Sequence, residues 1–254
     1  MVIFSWLLAI FLSLFLWTSL SLFPKFYKNK KTYTSIRVIL IVFLLFVQLQ
    51  RTWYLHLRVN GWGNPADYFL LYFCSLSAWA AIVILIYPNK RTLNCFFPYM
   101  IMGPVVTFIF PTEKPVLWDI NFFTFYLSHA CTLFTAMYIY LYGYTDYKLS
   151  KDSIVWSAVT GFIVVFGVEV YNLYFDQNFI IGDVAGAFNI THLKRPLQLL
   201  ITFVGGVPFV LIGLSFTYFF KPIYIKEGTK AHNTWWENFL IKVKEKRELK
   251  LSKK

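Results

Sequence analysis

The residues of greatest chemical interest are a thiol, an imidazole, a carboxylate and a guanidinium: Cys74, His129, Glu169 and Arg51, each set within a long apolar run. A thiol beside an imidazole is a nucleophile with its base. A carboxylate beside that pair can orient the imidazole or neutralise the arginine. Gln48, Ser75, Ser77, Asn172 and Gln198 carry amide and hydroxyl groups in the same runs, and such donors stabilise an oxyanion during acyl transfer. Polar groups of this strength are costly in hydrocarbon, so each one asks for a reason. The other two cysteines, Cys95 and Cys131, are expected to be packing residues. No CxxC or Cys/His spacing supports a metal site or a disulfide framework, and no cofactor-binding loop is evident.

The elements that must position these residues are membrane helices. The chain is 254 residues long, 58% hydrophobic and 21% aromatic, well above the roughly 45–50% apolar content of a soluble domain. The excess falls into segments of about 20 residues, the length that crosses a bilayer core. Seven spans are predicted: Val2–Leu22, Ile36–Leu57, Tyr68–Tyr87, Leu93–Phe110, Asn121–Tyr142, Ser153–Phe175 and Leu197–Phe220. The fold class expected is therefore all-α, a polytopic helical bundle over residues 1–220, followed by a basic tail at 221–254. The fourth span carries Pro98, Gly103 and Pro104, which predicts a kink or a partly re-entrant path. The first span has neither a basic leader nor a small-residue cleavage site, and reads as retained.

The charges orient this bundle. The net charge is +12, but the basic residues sit between and after the apolar runs, so membrane orientation explains them and nucleic acid is not an expected partner. With the N-terminus outside, segments 23–37, 88–92, 143–152 and the tail hold 19 Lys and Arg on the inside, against five outside. That bias predicts a cytoplasmic C-terminus and a multi-pass protein of the cell membrane. In the tail, Thr234 and Glu237 form a capping box that opens a helix near Trp235. Trp236, Phe239, Leu240 and Val243 then share a face, as expected of an interfacial helix on the anionic cytoplasmic leaflet.

In this topology the polar residues share a depth. A helix rises about 1.5 Å per residue, which places Gln48, Arg51, Cys74, Ser75, Ser77, Ser128, His129, Glu169, Asn172, Gln198 and Thr202 roughly 5–15 Å below the outer surface. Five spans contribute. Two readings follow: a water-accessible pocket open to the outer side, or a structural network held by interhelical hydrogen bonds and a Glu169–Arg51 pair.

Particular stretches also carry a resemblance. "LYFCSLSAWAA" is similar to the "LHLCSLSA"-type third span of the YwaF-like bacterial membrane proteins, with "LYF" in place of "LHL". "FPYMIMGPVVTFIFP" looks like their fourth span, and "FYLSHACTLFTAMY" like their "F.SH" fifth span. "VYNLYFDQNF" and "GGVPFV" resemble later segments more loosely. The resemblance implies a relation to eukaryotic TMEM-type membrane acyltransferases, which move fatty acyl chains between phospholipids with a cysteine and a histidine. By position these are Cys74 and His129.

Three functions stay open at this point. One is a lipid acyltransferase or hydrolase using the Cys74–His129 pair, with membrane lipids as its partners. The second is a substrate-binding or transport component for a small solute, acting with an unidentified membrane partner. The third is a structural membrane protein without catalysis. The orientation has a direct test. Accessibility labelling of single cysteines in intact cells should find the N-terminus and the 176–195 segment outside and the tail inside. A tail that is labelled from outside overturns the seven-span topology.

Overall fold

The computed structural model describes the backbone of residues 2–55, 70–111 and 117–251, and the side chains of these apart from 51–55 and 250. The helices are α1 Val2–Leu22, α2 Pro24–Lys28, α3 Lys30–Leu55, α4 Phe73–Ile86, α5 Lys90–Ile109, α6 Ile120–Phe122, α7 Ser128–Leu141, α8 Lys151–Phe175, α9 Ile181–Ala187, α10 Arg195–Phe219 and α11 Trp235–Leu251. A π-helical turn, Phe123–Leu127, joins α6 to α7. Among the described residues the fold is all-helical, with one isolated bridge between Tyr224 and Lys230. Among the described residues six helices, counting Ile120–Leu141 as one, are long and apolar enough to cross a membrane, and α4 is a shorter apolar seventh.

Side-chain contacts show that the crossings alternate. Trp6, near the start of α1, donates from Nε1 to the Phe108 carbonyl at the end of α5, 2.9 Å away. Arg37, near the start of α3, donates to the Leu85 and Ile86 carbonyls at the end of α4. The backbone N–H of Ile223, just past α10, donates to the Leu141 carbonyl at the end of α7. Tyr142, just past α7, also donates to the Leu20 carbonyl at the end of α1, so the N-terminus and the tail lie at opposite ends of the bundle.

The centre is α7. The Ile120–Leu141 span is 89% buried within the protein, against 17–28% for α1, α3, α8 and α10. Every residue from Ser128 to Leu141 is buried. The outer helices instead expose rows of large apolar side chains, such as Phe11 and Phe15 on α1, Ile39 and Phe46 on α3, and Val204 and Leu211 on α10. Apolar faces of this extent need lipid rather than water. Composition matches this division: the hydroxyls of Ser128, Thr132 and Thr135 on α7 bond carbonyls of their own span, and the faces that the outer helices expose are Leu, Val, Ile and Phe.

The second organising helix is α5, which packs against α4, α7, α8 and α10. No re-entrant break interrupts it: α5 runs as one helix from Lys90 to Ile109, through Pro98 and Pro104. Pro98 cannot donate to the carbonyl of Asn94, which in a membrane would be left stranded. Ser157 of α8 supplies the missing donor, its Oγ lying 2.7 Å from the Asn94 carbonyl. One turn on, Tyr99 Oη returns a hydrogen bond of 2.7 Å to the Ser157 carbonyl. On the other side α10 approaches so closely at Gly213 that an added Cβ would lie 2.7 Å from the Cα and carbonyl oxygen of Pro98.

At the tail end, residues 223–232 form a hairpin that docks on the C-terminus of α7. The N–H groups of Ile223 and Tyr224 both donate to the Leu141 carbonyl, at 2.7 and 3.1 Å. Gly143 has φ +64° beneath this hairpin, and a side chain there would strike the backbone of Tyr224 and Ile225. The expected capping box is present. Thr234 Oγ1 accepts from the Glu237 N–H, and the Glu237 carboxylate accepts from the Thr234 N–H. Lys230 adds an ion pair to Glu237 at 2.7 Å.

The same substitution at two glycines of α10 tests the α5–α10 approach. Alanine favours a helix over glycine by about 1 kcal/mol, and at Gly206 it meets nothing within 4 Å, so Gly206→Ala should leave thermal unfolding in detergent unchanged or raised. At Gly213 the new Cβ collides with α5, and Gly213→Ala should lower stability by about 1–3 kcal/mol. Equal effects at the two sites would contradict the packing described.

Candidate functional site

Cys74 and His129, 55 positions apart in the chain, line one small cavity. Its wall comes from four helices: Val47 and Gln48 of α3, Cys74, Ser75, Ser77 and Ala78 of α4, Pro104 of α5, and Ser128, His129 and Thr132 of α7. The free volume is about 20 Å³, enough for a single water, which needs about 10–15 Å³. The cavity lies in the half of the bundle away from the tail. His129 stands 12 residues before Leu141, or about 18 Å of helical rise.

The beginning of α4 decides how Cys74 is presented. The sequence predicts a span from Tyr68, with Cys74 well inside it. Instead Leu70–Tyr72 are non-helical, and α4 begins only at Phe73 after an extended Tyr72. Non-helical backbone is tolerated at this depth only under cover. Leu70, Leu71, Tyr72 and Phe73 pack on a cluster of Val165, Val168, Phe179, Ile180 and Ile181, which supplies that cover. Cys74, half-buried, therefore stands in the first turn of a helix. The first helical bond runs from Leu76 N–H to the Tyr72 carbonyl. The amides of Phe73 and Ser75 precede it and have no acceptor within the helix. At the other end, Arg37 caps the α4 carbonyls, and the helix stops after 14 residues, about 21 Å.

His129 is set by the π turn. Widening of the helix at Phe123–Leu127 brings the Phe125 carbonyl to 2.6 Å from His129 Nδ1 and 2.9 Å from Ser128 Oγ. A carbonyl only accepts, so Nδ1 carries the proton and Nε2 of the neutral ring holds the lone pair. The ring also packs on Phe125, with centroids 4.9 Å apart. π turns are uncommon and tend to sit at functional sites. Nothing in the hydrophobic pattern of the fifth span signals this one.

The remaining members of the expected slab belong to a second cluster. Glu169, Asn172 and Gln198 do not line the Cys74 cavity. The partner of Glu169 is Arg195, at the start of the next span, rather than His129. Arg195 Nε donates to Glu169 Oε1 and Nη2 to Oε2, both at 2.6 Å. This is a bidentate pair of the strong, geometrically specific kind. Asn172 donates to the same carboxylate and also bonds the carbonyl and N–H of Phe179. Gln198 Nε2 faces the carbonyls of Ile190, Thr191 and Leu193, the last at 2.8 Å. These three side chains fasten the 176–194 connection onto α8 and α10. Arg51 is the one member of the slab whose side chain lies outside those described. In the sequence Arg195 lies in the segment between two spans and outside the slab, so depth alone does not pair it with Glu169. Its position at the start of the antiparallel neighbour of α8, opposite the end that carries Glu169, was the available signal.

Among the described residues no group of three His, Cys, Asp or Glu is placed to hold a metal ion. Comparison with known proteins gives one family: the model of the TMEM164 family matches residues 1–222. No curated protein and no solved structure matches the chain.

The division into two clusters predicts separable effects on stability. Breaking the ion pair from one side strands a polar partner. Since Glu169 is 7% exposed and Arg195 31%, Glu169→Leu and Arg195→Leu should each cost about 1–3 kcal/mol, below the full buried-pair value because of that exposure. The double variant should cost less than the sum. Unfolding in detergent reads this out, and Cys74→Ser should leave the same transition in place. Additive losses would show that the two residues do not act as a pair.

Proposed function

We propose that this chain, which belongs to the TMEM164 family, is a lipid acyltransferase of the cell membrane that uses Cys74 as nucleophile and His129 as its base. The observation that supports the reading is the shared cavity: Cys74 and His129 are both among its lining residues, and His129 Nδ1 faces the Phe125 carbonyl. The likeness of the Tyr72–His129 stretch to YwaF-like proteins points to the same two residues.

In this mechanism Cys74 Sγ attacks the ester carbonyl of a phospholipid as its proton passes to His129 Nε2. The C–O bond then breaks, and the imidazolium returns that proton to the departing lysolipid hydroxyl. The acyl chain remains on sulfur as a thioester. A second lysolipid hydroxyl attacks the thioester and gives its proton to His129, and sulfur regains the proton as it leaves. Water in place of the second lysolipid gives hydrolysis. The oxyanion formed in each half is opposed by donors from the first turn of α4, chiefly the Ser75 N–H, and by the Gln48 amide, groups held in place before reaction begins. A cavity the size of one water accepts only the reacting carbonyl, so the acyl chain and headgroup lie outside it. With the N-terminus outside, as the charge bias predicts, the site opens in the outer half of the bilayer.

A structural reading has its own support. Ser77, Ser128 and Thr132 donate to carbonyls of Phe73, Phe125 and Ser128 within their own helices. The cavity polar groups could thus serve packing alone. The two readings part on activity. In liposomes holding a labelled phospholipid and a lysolipid acceptor, the purified protein should transfer label. Cys74→Ser and His129→Ala should each abolish transfer with folding retained, and the double variant should be no worse than either, as for residues acting as a unit. Full transfer by Cys74→Ser would leave the structural reading.

A further inference from the structure

A second and much larger cavity lies at the tail end of the bundle, distant from Cys74 and independent of the reading above. Its volume is about 960 Å³, at the upper end of the roughly 300–1,000 Å³ typical of ligand sites. Small hydroxyl residues of α1, Thr18 and Ser21, leave room on one side. The end of α10, the 221–234 hairpin and the first turn of α11 close the others. Among the described residues α1 and α10 are not closely packed partners, and both expose apolar side chains, so the cavity lies beside two lipid-facing helices that do not seal tightly against each other.

The lining sorts by chemistry. Leu141, Phe220 and Ile223 form an apolar floor. Tyr218, Phe219 and Trp235 stand at the edge, exposed by 73%, 80% and 48%, as aromatic residues do at a membrane interface. Lys221, Lys230 and His232 also line it, whereas no Asp or Glu does. Lys230 is already paired with Glu237. The side chains of Lys221, His232, Asn233 and Asn238 make no hydrogen bond among the described residues, which leaves four donors facing one space.

An apolar floor, an aromatic edge at the level of the interface, uncommitted cationic and amide donors, and a loosely sealed lateral side together describe a lipid with an anionic head. We propose that this cavity binds the headgroup of an anionic glycerophospholipid from the leaflet on the tail side. The phosphate and its negatively charged substituent meet Lys221, His232 and the two asparagines, and the upper acyl chains leave between α1 and α10. The hairpin and α11 are thereby held to the bundle through a lipid as well as through the Leu141 carbonyl.

The experiment uses the full chain in detergent, with bound lipid read by native mass spectrometry after addition of phosphatidylserine. The wild-type protein should retain phosphatidylserine in preference to phosphatidylcholine. Lys221→Gln with His232→Gln should reduce retention by about fivefold or more, the effect expected of one lysine at a lipid surface. Lys244→Gln with Lys246→Gln removes lysines from the exposed stretch of α11 and should leave retention unchanged. Excess inorganic phosphate should not displace the lipid. The proposal is overturned if the α11 lysine variant loses lipid equally, which would make the effect general electrostatics. It is also overturned if phosphatidylcholine binds as well as phosphatidylserine, if neither binds, or if free phosphate displaces the lipid, which would mark a site for the soluble ion.

Discussion

Inside a bilayer a backbone carbonyl or N–H without a partner has no water to turn to, and the arrangement of this bundle follows from that constraint. Pro98 would strand the Asn94 carbonyl, and Ser157 of α8 reaches across to it, which ties α8 to α5. The π turn redirects the Phe125 carbonyl, and Ser128 and His129 take it up. The short α4 ends with open carbonyls, and Arg37 of α3 covers two of them. The last carbonyl of α7 is met by the hairpin beyond α10. In each case the group that repairs one helix belongs to another part of the chain or fixes a side chain in a particular pose. Satisfaction of the backbone is thus also what assembles the tertiary structure.

This explains why the two polar clusters are separate although they share a depth. Around α7, polar side chains point inward because the helix is covered on all sides, and they meet those of α3 and α4. Around α8 and α10 the covering is partial, and the charged pair Glu169–Arg195 sits at the rim, where Arg195 keeps contact with the surface. A carboxylate at 7% exposure needs a partner that can reach it without itself being fully stripped of solvent. The guanidinium at the start of α10 meets that requirement, since its weaker hydration and planar fork suit partly buried pairs. The reacting site proposed around Cys74 is therefore built without a buried ion pair among its described side chains. Its electrostatics come from backbone amides, one imidazole and one amide side chain.

The two ends of the molecule have different characters. The end away from the tail holds a cavity of one water's size between packed helices, suited to a small reacting group and little else. The tail end holds a space nearly fifty times larger with basic and aromatic walls. A tyrosine cluster supports that end. Tyr138 donates to the Tyr27 carbonyl and Tyr142 to the Leu20 carbonyl, both at 2.7 Å. Lys28 lies over the rings of Tyr144 and Tyr224, where partial burial lowers its pKa. Between the two cavities α7 contributes a continuous packed core.

Much of this was legible in the amino-acid sequence. Hydropathy alone sets the number and the approximate limits of the membrane helices, because apolar length is a one-dimensional property. The capping box at Thr234 and Glu237 is equally local; the residue types at Cys74 and His129 are also plain in the sequence, but that they line one cavity is not. What remained hidden depends on neighbours that only packing brings close. No pattern within the fourth span shows that Ser157 would satisfy the carbonyl that Pro98 strands. The late start of α4, which puts Cys74 in a first turn, rests on the cover given by Val165, Phe179 and Ile181. The π turn that sets the His129 tautomer is a property of α7 within its surroundings. The Glu169–Arg195 pair joins the ends of two adjacent spans. Depth could be read along each helix, but rotation about the helix axis could not, and rotation decides which polar groups at one depth face each other.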